Sequence, residues 1–335
     1  MAVPSVILRK PWALPSRALA EPSDWWSRRR LIASLGLAAG ALVGPEAEAK
    51  APVPATSPVP SAYAWKFGPA RDRGYALDRP VTLEEVAASH NNFYEFTTAK
   101  DRVWQLAHTL VPKPWKVTIT GLVPRPIEID LDDLVKKLGL EERSYRFRCV
   151  EAWSMAVPWL GVPLAALVKL ANPLSSAKYV RFVTKQAPEM FPGIMVQPWY
   201  TWPYHEGLSL AEATNELAFL AVGIYGHALP NQHGAPLRLV VPWKYGYKNI
   251  KSIDRIEFVE EEPGTFWNEA VADEYDFLGN VRPDIDHPRW SQASERVIPS
   301  GERLPTLMYN GYGEQVAGLY PPVPSGGLFP WRRNW

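Results

Sequence analysis

The sequence predicts an α+β fold, in which short strands and short helices follow one another without a regular βαβ rhythm. Three observations lead there. Several short runs are rich in β-branched and aromatic residues and end at turn residues. Short helical segments carry recognisable starts and stops. From Glu261 onward the chain is dense in Pro, Gly and aromatic residues, and reads as loops wrapped over a core made by the earlier strands.

Trp115–Leu122 (WKVTITGL) alternates and ends at a glycine turn, as a strand does, and Pro126–Ile129 follows as a second strand. Asp130 is placed to cap a helix over Leu131–Leu138. Asp132 and Asp133 stand at its positive end, Lys136 and Lys137 at its negative end. Tyr145–Val150 (YRFRCV) reads as a strand carrying Cys149 near its end. Val162–Ala171 reads as an apolar helix with Pro163 in its first turn. Lys178–Thr184 is a strand, Leu208–Thr214 a short helix, and Leu217–Tyr225 an apolar run that fits helix or strand equally. Leu237–Val241 and Ile253–Val259 are strands around a basic turn, Lys244–Lys251. No compositional break divides the chain after residue 66, so residues 66–335 are expected to form one domain.

The 335 residues include 36 Lys and Arg against 35 Asp and Glu, which leaves no net basic excess for nucleic-acid binding. An apolar fraction of 47% excludes wholesale disorder. A single cysteine excludes an internal disulfide framework and any multi-cysteine zinc or iron–sulfur centre. At the N-terminus, Arg28-Arg29-Arg30-Leu31 precedes a 13-residue apolar run ending at Val43, then Ala47-Glu48-Ala49. The run is short of the roughly 20 residues a spanning helix needs. Charge, short apolar stretch and small-x-small site form the anatomy of a cleaved export signal. The paired arginines resemble the twin-arginine type, which carries folded, cofactor-loaded proteins. The expectation is that residues 1–49 are removed, that residues 50–65 (with APVPATSPVPSA) form a Pro-rich linker, and that the mature protein is soluble in the periplasm.

Cys149 lies in Arg146-Phe147-Arg148-Cys149-Val150-Glu151-Ala152-Trp153-Ser154. A lone cysteine is commonly a buried packing residue. An unpaired thiol in an exported chain also invites a use, as nucleophile or as soft metal ligand. Arg146 and Arg148 would favour the thiolate if they lie close, and no histidine lies within ten residues. Glu151 would share the strand face of Cys149 if the strand continues. Elsewhere, the six residues from Asn91 to Phe96 hold amides, a phenol and a carboxylate. A second segment runs from Gln232 to Arg238, and the basic turn offers donors suited to a phosphate. Each of these taken alone also fits a solvated loop.

Five stretches taken together carry more. NNFYEF from Asn91, RCVEAWSM from Arg148, HGAPLRLVVPWKYGYKNIKSI from His233, DHPRWSQA from Asp286 and LMYNGY from Leu307 resemble the catalytic subunits of periplasmic protein-methionine-sulfoxide reductases. These are molybdenum-pterin proteins of the sulfite oxidase superfamily, and the resemblance runs from about Asn91 to Tyr320. It implies a sulfite-oxidase-type domain without a separate dimerisation domain, and a monomeric catalytic subunit. It implies one molybdenum-molybdopterin per chain, with Cys149 as the only protein ligand to the metal. Cofactor contacts fall on Asn91, Tyr94, Glu95, Thr184, His233, Arg238, Asn249, Ile250 and Lys251, with Arg238 and Lys251 toward the pterin phosphate. His233 and Asn249 stand where the family also has Asn and Gly. Glu151 is a candidate for proton handling beside the metal. The implied partners are a haem-containing membrane subunit that delivers electrons from quinones, and oxidised periplasmic proteins as substrates. Two other readings stay open. A sulfite oxidase or another S- or N-oxide enzyme of the superfamily is one, although its eukaryotic members follow the ligand cysteine with an Ala-Gly-Asn-Arg-Arg-type run where this chain has Val150-Glu151-Ala152-Trp153-Ser154. A non-catalytic exported binding module with a buried Cys149 is the other.

Overall fold

The alternating runs assemble into two sheets. A computed structural model describes residues 77–320 and the backbone of Arg71–Asp72; the expected export signal and linker lie outside the described residues. The strands are β1 (Arg71–Asp72), β2 (Lys116–Gly121), β3 (Ile127–Asp130), β4 (Glu141–Arg148), β5 (Trp153–Pro163), β6 (Tyr179–Thr184) and β7 (His205–Ser209). They continue as β8 (Phe219–Ile224), β9 (His227–Ala228), β10 (Arg238–Val240), β11 (Ile253–Val259), β12 (Ser294–Val297) and β13 (Arg303–Pro305).

One sheet has the order β3-β2-β11-β6-β7, with β2 and β11 parallel and the other pairs antiparallel. The other is built on β5. Its residues 154–161 pair with the whole of β4, while its opposite edge pairs first with β12 and then with β8. β10 and β9 extend the sheet from β8. Mixed sheets with short intervening helices are the α+β architecture expected. One apolar cluster includes Val117 and Ile256 of the first sheet and Tyr145, Val157 and Phe219 of the second. Among the described residues no helix is long and apolar enough to cross a membrane.

The helix over Leu131–Leu138 forms as read, with the Asp130 carboxylate accepting from the Asp132 N–H at 3.0 Å. The helix expected from Val162 begins only at Leu164. Val162 and Pro163 are still paired with Leu220 and Phe219, and Pro163 stands at the N-cap. The helix expected from Leu208 begins at Leu210, because Leu208 belongs to β7 and a Ser209–Glu212 capping box fixes the start. The ambiguous run Leu217–Tyr225 becomes β8. Every residue of β8 is buried, between β5 and β10, so no polar face exists to produce an alternation.

The basic turn Lys244–Lys251 is not a solvated loop. Lys244 is buried against the Glu212 carboxylate and donates to Leu278 O at 2.7 Å and Asn280 Oδ1 at 2.9 Å. Lys248 pairs with Glu206 at 2.5 Å, with both side chains fully buried. These pairs hold the turn against β7 and the helix that follows it, and so fix the position of Ile250 and Lys251. Burial pushes the Glu206 carboxyl above its ordinary range even with Lys248 beside it. Lys248→Met should therefore strand a buried acid and cost about 3–5 kcal/mol. Adding Glu206→Gln should recover a large part of that loss. Chemical denaturation of the two variants checks both, and an unchanged midpoint in the single variant would contradict the role given to this pair.

Candidate active site

The β4–β5 hairpin presents Cys149. The pairing closes at Arg148↔Ser154, and residues 149–152 form the turn. Cys149 N donates to Trp153 O at 2.9 Å, and Ala152 N to Cys149 O at 3.0 Å. Ala152 takes a left-handed φ of 63°, a conformation uncommon for a residue with a Cβ. The strand thus ends one residue before Cys149, and Glu151 does not reach it along a strand face. The turn brings them together instead. Glu151 Oε2 lies 3.7 Å from Cys149 Sγ, and Glu151 N donates toward the same sulfur at 3.5 Å. The Asn92 amide donates to Sγ at 3.3 Å.

Of the two flanking arginines only Arg148 favours the thiolate, and only weakly against the opposing effects. Arg146 goes to Asp78 at 2.8 Å and to Asn310 O at 2.9 Å. Arg148 is fully buried, donates to the Cys149 carbonyl and to Gln292 Oε1 at 2.8 Å, and pairs with Glu295 at 3.3 Å. Its work is to bind the hairpin turn to the loops of residues 292–306. Burial, and then Glu151, push the Cys149 thiol up to about 12, against smaller opposing effects of Lys100 and Arg148. An amide and a carboxylate face the sulfur, where a cysteine nucleophile would use a histidine base. A coordinated metal cation would remove this proton outright.

Two adjoining cavities meet at this point. One is lined by Asn92, Tyr94, Glu95, Cys149, Glu151, Ile250 and Lys251, among others. The second is lined by His90, Asn91, Asn92, Trp159, His233, Arg238 and Lys251, among others. They share Asn92, Gly246 and Lys251 as walls. A wider cleft shares Tyr94, Glu151, Trp267 and Tyr275 with the first cavity and carries Lys100, Arg289 and Arg296 on its walls. Nine of the eleven site residues expected from the sequence therefore line this bent space. Thr184 and Asn249 do not. The Thr184 hydroxyl donates to Lys251 O at 2.7 Å. The Asn249 side chain accepts from Val241 N at 2.7 Å and donates to Tyr245 O at 3.3 Å. Both hold the backbone on which Arg238 and Lys251 sit.

The second cavity gathers polar groups that want a ligand. Arg238 is 4% exposed, donates to His233 O at 2.8 Å and Asn249 O at 3.4 Å, and stacks over Trp159 at 4.7 Å. Among the described residues no carboxylate pairs with it, and burial brings its guanidinium down to about 9. Its Nε has no partner, nor do Asn91 Oδ1, Asn92 Oδ1, Trp159 Nε1, His90 Nε2 and His233 Nε2. Burial also pushes Lys251 down, with Arg238 adding to the effect, while burial pushes Glu95 up. Natural interiors seldom leave so many donors and acceptors unmatched. The set fits an anionic, heteroatom-rich group such as a pterin with its phosphate. Gly234, at φ +94°, keeps this space open, since a Cβ there would lie 2.7 Å from the Lys251 side chain.

Glu151 stands on the boundary between first cavity and cleft. Burial opposes its ionisation, but Lys100 at 3.0 Å, with Trp153 Nε1 at 3.2 Å and Asn92, holds it below the usual carboxylate range. The sequence reading missed Asn92, His90, Lys100 and Trp159. Asn92 adjoins Asn91 within NNFYEF, and residue type alone does not set Trp159 apart from the chain's other tryptophans. Trp153 also lines the second cavity, whereas Trp202 packs on Phe266, Trp243 is buried in the core and Trp199 is exposed.

Burial pushes His233 down to about 3 from an ordinary 6.5, with Arg238 adding to it. The unfolded chain then takes up this proton first, so stability is full above pH 6.5 and is lost as pH falls toward 3. Cofactor-free His233→Asn protein should lose less on acidification, by roughly 2 kcal/mol at pH 5. Denaturant titrations of both proteins from pH 7 to 4.5 measure it, and parallel curves would refute it.

A family model described as the oxidoreductase molybdopterin binding domain matches residues 105–267. The chain is 48% identical over 318 residues to the protein-methionine-sulfoxide reductase catalytic subunit MsrP of Ralstonia nicotianae, covering 92% of this chain and 93% of that protein. It is 47% identical over 314 residues to the protein of the same name from Burkholderia mallei, with the same two shares. Among solved structures it is similar to the sulfane dehydrogenase SoxCD of Paracoccus pantotrophus at 19% identity and a TM-score of 0.39, over 45% of this chain and 40% of that one, a likeness too slight to carry an argument. The extent and identity of the first two matches are decisive: the chain belongs to the family of protein-methionine-sulfoxide reductase catalytic subunits and carries its molybdopterin-binding oxidoreductase domain.

Proposed function

We propose that this chain reduces methionine sulfoxide in exported proteins, using one molybdenum-molybdopterin held by Cys149 and the donors around Arg238. The observation that carries the reading is the buried set of unmatched polar atoms converging on a cavity whose neighbour ends at the single cysteine. Among the described residues no cluster of three His, Cys, Asp or Glu side chains is arranged to hold a metal ion. A metal here would draw most of its ligands from the pterin, and one thiolate per chain matches one pterin per chain.

When bound, the cofactor supplies a sulfur-ligated redox metal able to accept oxygen from a sulfoxide. The chain supplies the rest. Arg238, His233 and Lys251 would meet the phosphate end with charge and N–H groups. Asn91, Tyr94, Glu95 and Ile250 would bound the pterin, while Thr184 and Asn249 hold the backbone that carries Arg238 and Lys251. Reduction of a sulfoxide to a thioether releases its oxygen as water and consumes two protons and two electrons. Glu151, ionised against Lys100 at the foot of the open cleft, is placed to hold and pass a proton there. Tyr94 keeps its phenolic proton, because burial, then Glu151 and Cys149, push its pKa upward. The same ionised Glu151 beside Sγ opposes an anion such as sulfite, which weighs against the sulfite oxidase alternative.

Export by the twin-arginine route, residence in the periplasm and repair of oxidised periplasmic proteins belong to the same proposal. They are supported by the Arg28–Leu31 run and the Ala47-Glu48-Ala49 site. Electrons would come from quinones through a haem-containing membrane subunit.

Protein made in a host competent for the cofactor should contain molybdenum and pterin in equal amounts with the chain. With a reduced dye it should convert methionine sulfoxide to methionine. Cys149→Ser should lose activity by about 100-fold or more, the scale on which metal-site residues act. Protein without molybdenum, or a Cys149→Ser variant with full turnover, would remove the cysteine-held metal from the mechanism.

A further inference from the structure

A further cavity adjoins the hairpin turn and plays no part in the chemistry above. Val150 and Tyr247 wall both it and the Cys149 cavity, so a single layer of side chains parts the two. The stretches DHPRWSQA and LMYNGY, which line neither cavity of the site, supply Asp286, His287, Gln292 and Tyr309 here. Gln292 Nε2 and Trp290 Nε1 both donate to Val150 O, at 2.7 and 2.8 Å. The Trp290 ring stacks on His287 at 3.8 Å. A packed and hydrogen-bonded route thus runs from the cavity wall to the residue after Cys149. His287 is 6% exposed, and its Nε2 makes no hydrogen bond, the Glu274 carboxylate lying 3.4 Å away.

The stacked pair also divides two openings of unlike charge. Trp290 lines the cleft, whose walls carry Lys100, Arg289 and Arg296, while His287 lines the cavity. Acidic residues gather on the cavity side: residues 260–286 hold nine Asp and Glu against one Arg. Glu260, Glu269, Glu274 and Asp284 pair with Lys178, His205, Arg289 and Arg282. Among the described residues Glu261, Glu262, Asp273 and Asp286 have no ion-pair partner, and Glu262 and Asp286 line the cavity. Leu278 on its wall is 39% exposed, and Leu307 and Met308, just before Tyr309, are 41% and 37% exposed.

We propose that electrons enter on this face: an electron-donor protein docks a basic, partly apolar surface over the acidic cavity and brings its reduced centre beside the Cys149 turn. The inference rests on the sulfoxide reductase reading above. In that reading each turnover oxidises the donor by two electrons and, with two protons, converts the sulfoxide to thioether and water. The unmatched carboxylates extend past the cavity to Glu261 and Asp273, over more surface than a small ion touches. Such a field steers a protein of opposite charge toward its docking site. Exposed apolar side chains at the margin suit the core of a protein contact. A donor seated here does not cross the cleft, so a sulfoxide lying against Glu151 leaves its approach open.

The test uses holoenzyme with membranes from a strain of the source bacterium that lacks this chain, quinol as reductant and methionine sulfoxide as acceptor. Binding is read separately, as co-sedimentation of the protein with these membranes and with protein-free vesicles of their lipids. Glu262→Lys/Asp273→Lys should lower both co-sedimentation with the membranes and the membrane-driven rate about tenfold at low salt, and the difference should shrink as salt rises. Its kcat and KM for methionine sulfoxide with a reduced dye should stay at wild-type values. Glu189→Lys/Glu216→Lys, an equal charge change at exposed positions off the cavity, should alter neither reaction. Unchanged co-sedimentation or an unchanged membrane-driven rate in the cavity variant overturns the inference, as does an equal loss with the dye. An equal loss in the control pair reduces the effect to net charge, and an equal loss from the lipid vesicles assigns it to lipid; either overturns the inference. A loss confined to Arg296→Glu places the donor at the cleft and overturns it as well. Wild-type protein that reduces methionine sulfoxide with the dye but neither binds the membranes nor draws electrons from them overturns the inference alone. Wild-type protein inactive with both donors overturns the sulfoxide reductase reading itself.

Discussion

The constraint on which the rest of this structure depends is the burial of Arg238 with no counter-charge among the described residues. Removing a guanidinium from water costs several kcal/mol unless hydrogen bonds and opposite charge replace its hydration. The fold offers two carbonyls and the face of Trp159, and leaves Nε without a partner. The contrast with the two buried lysines of the same segment is informative. Lys244 and Lys248 each meet a carboxylate, and in doing so they hold the turn in place. Among the described residues Arg238 meets none, which on the proposed reading leaves its charge for a bound anion. That contrast sets the two kinds of buried charge apart without reference to any relative.

Seen this way, the two sheets are means of delivering groups from distant parts of the chain to one space. The β4–β5 hairpin brings Cys149 and Glu151. The strand β10 brings Arg238, and the pinned turn before β11 brings Ile250 and Lys251. The segment around Asn92 closes the remaining side and reaches the sulfur itself. Arg148 matters here although it touches no part of the cavity. By joining the Cys149 carbonyl to Gln292 and Glu295, it fixes the angle at which the hairpin turn presents its sulfur.

Much of this was legible in the sequence where the signal is local. The helix Leu131–Leu138 carries its own cap and its own charge pattern, and β2 and β11 alternate plainly. The long motifs named nine residues that do line the cavities. The failures have a common cause in long-range pairing. β8 shows no period because both its neighbours bury it. The turn Lys244–Lys251 reads as solvated because Glu206 and Glu212, which neutralise its lysines, lie on a separate strand and helix. Glu151 reaches Cys149 within the hairpin turn of residues 149–152, and no pattern of residue types signals that turn's backbone state. Trp159 and His90 are ordinary core-type residues until the empty side of their nitrogen atoms is seen.

The electrostatics around the sulfur also bear on what may enter. On the side of Arg238 and Lys251 the space is cationic. On the substrate side an ionised Glu151, matched by Lys100, stands among Tyr94, Trp267 and Tyr275. An anion would meet a carboxylate at the point of closest approach, whereas a neutral, strongly dipolar sulfoxide on a thioether chain meets no such penalty. Its apolar methylene and methyl groups have aromatic rings to pack against, a contact that sulfur-bearing chains make favourably. The same lone thiol that would be inert in this pocket by itself is thus set between an anion-seeking cavity and a neutral-seeking cleft. On the proposed reading, the position of Glu151 on that boundary would favour an uncharged S-oxide over an anion before any contact specific to methionine is considered.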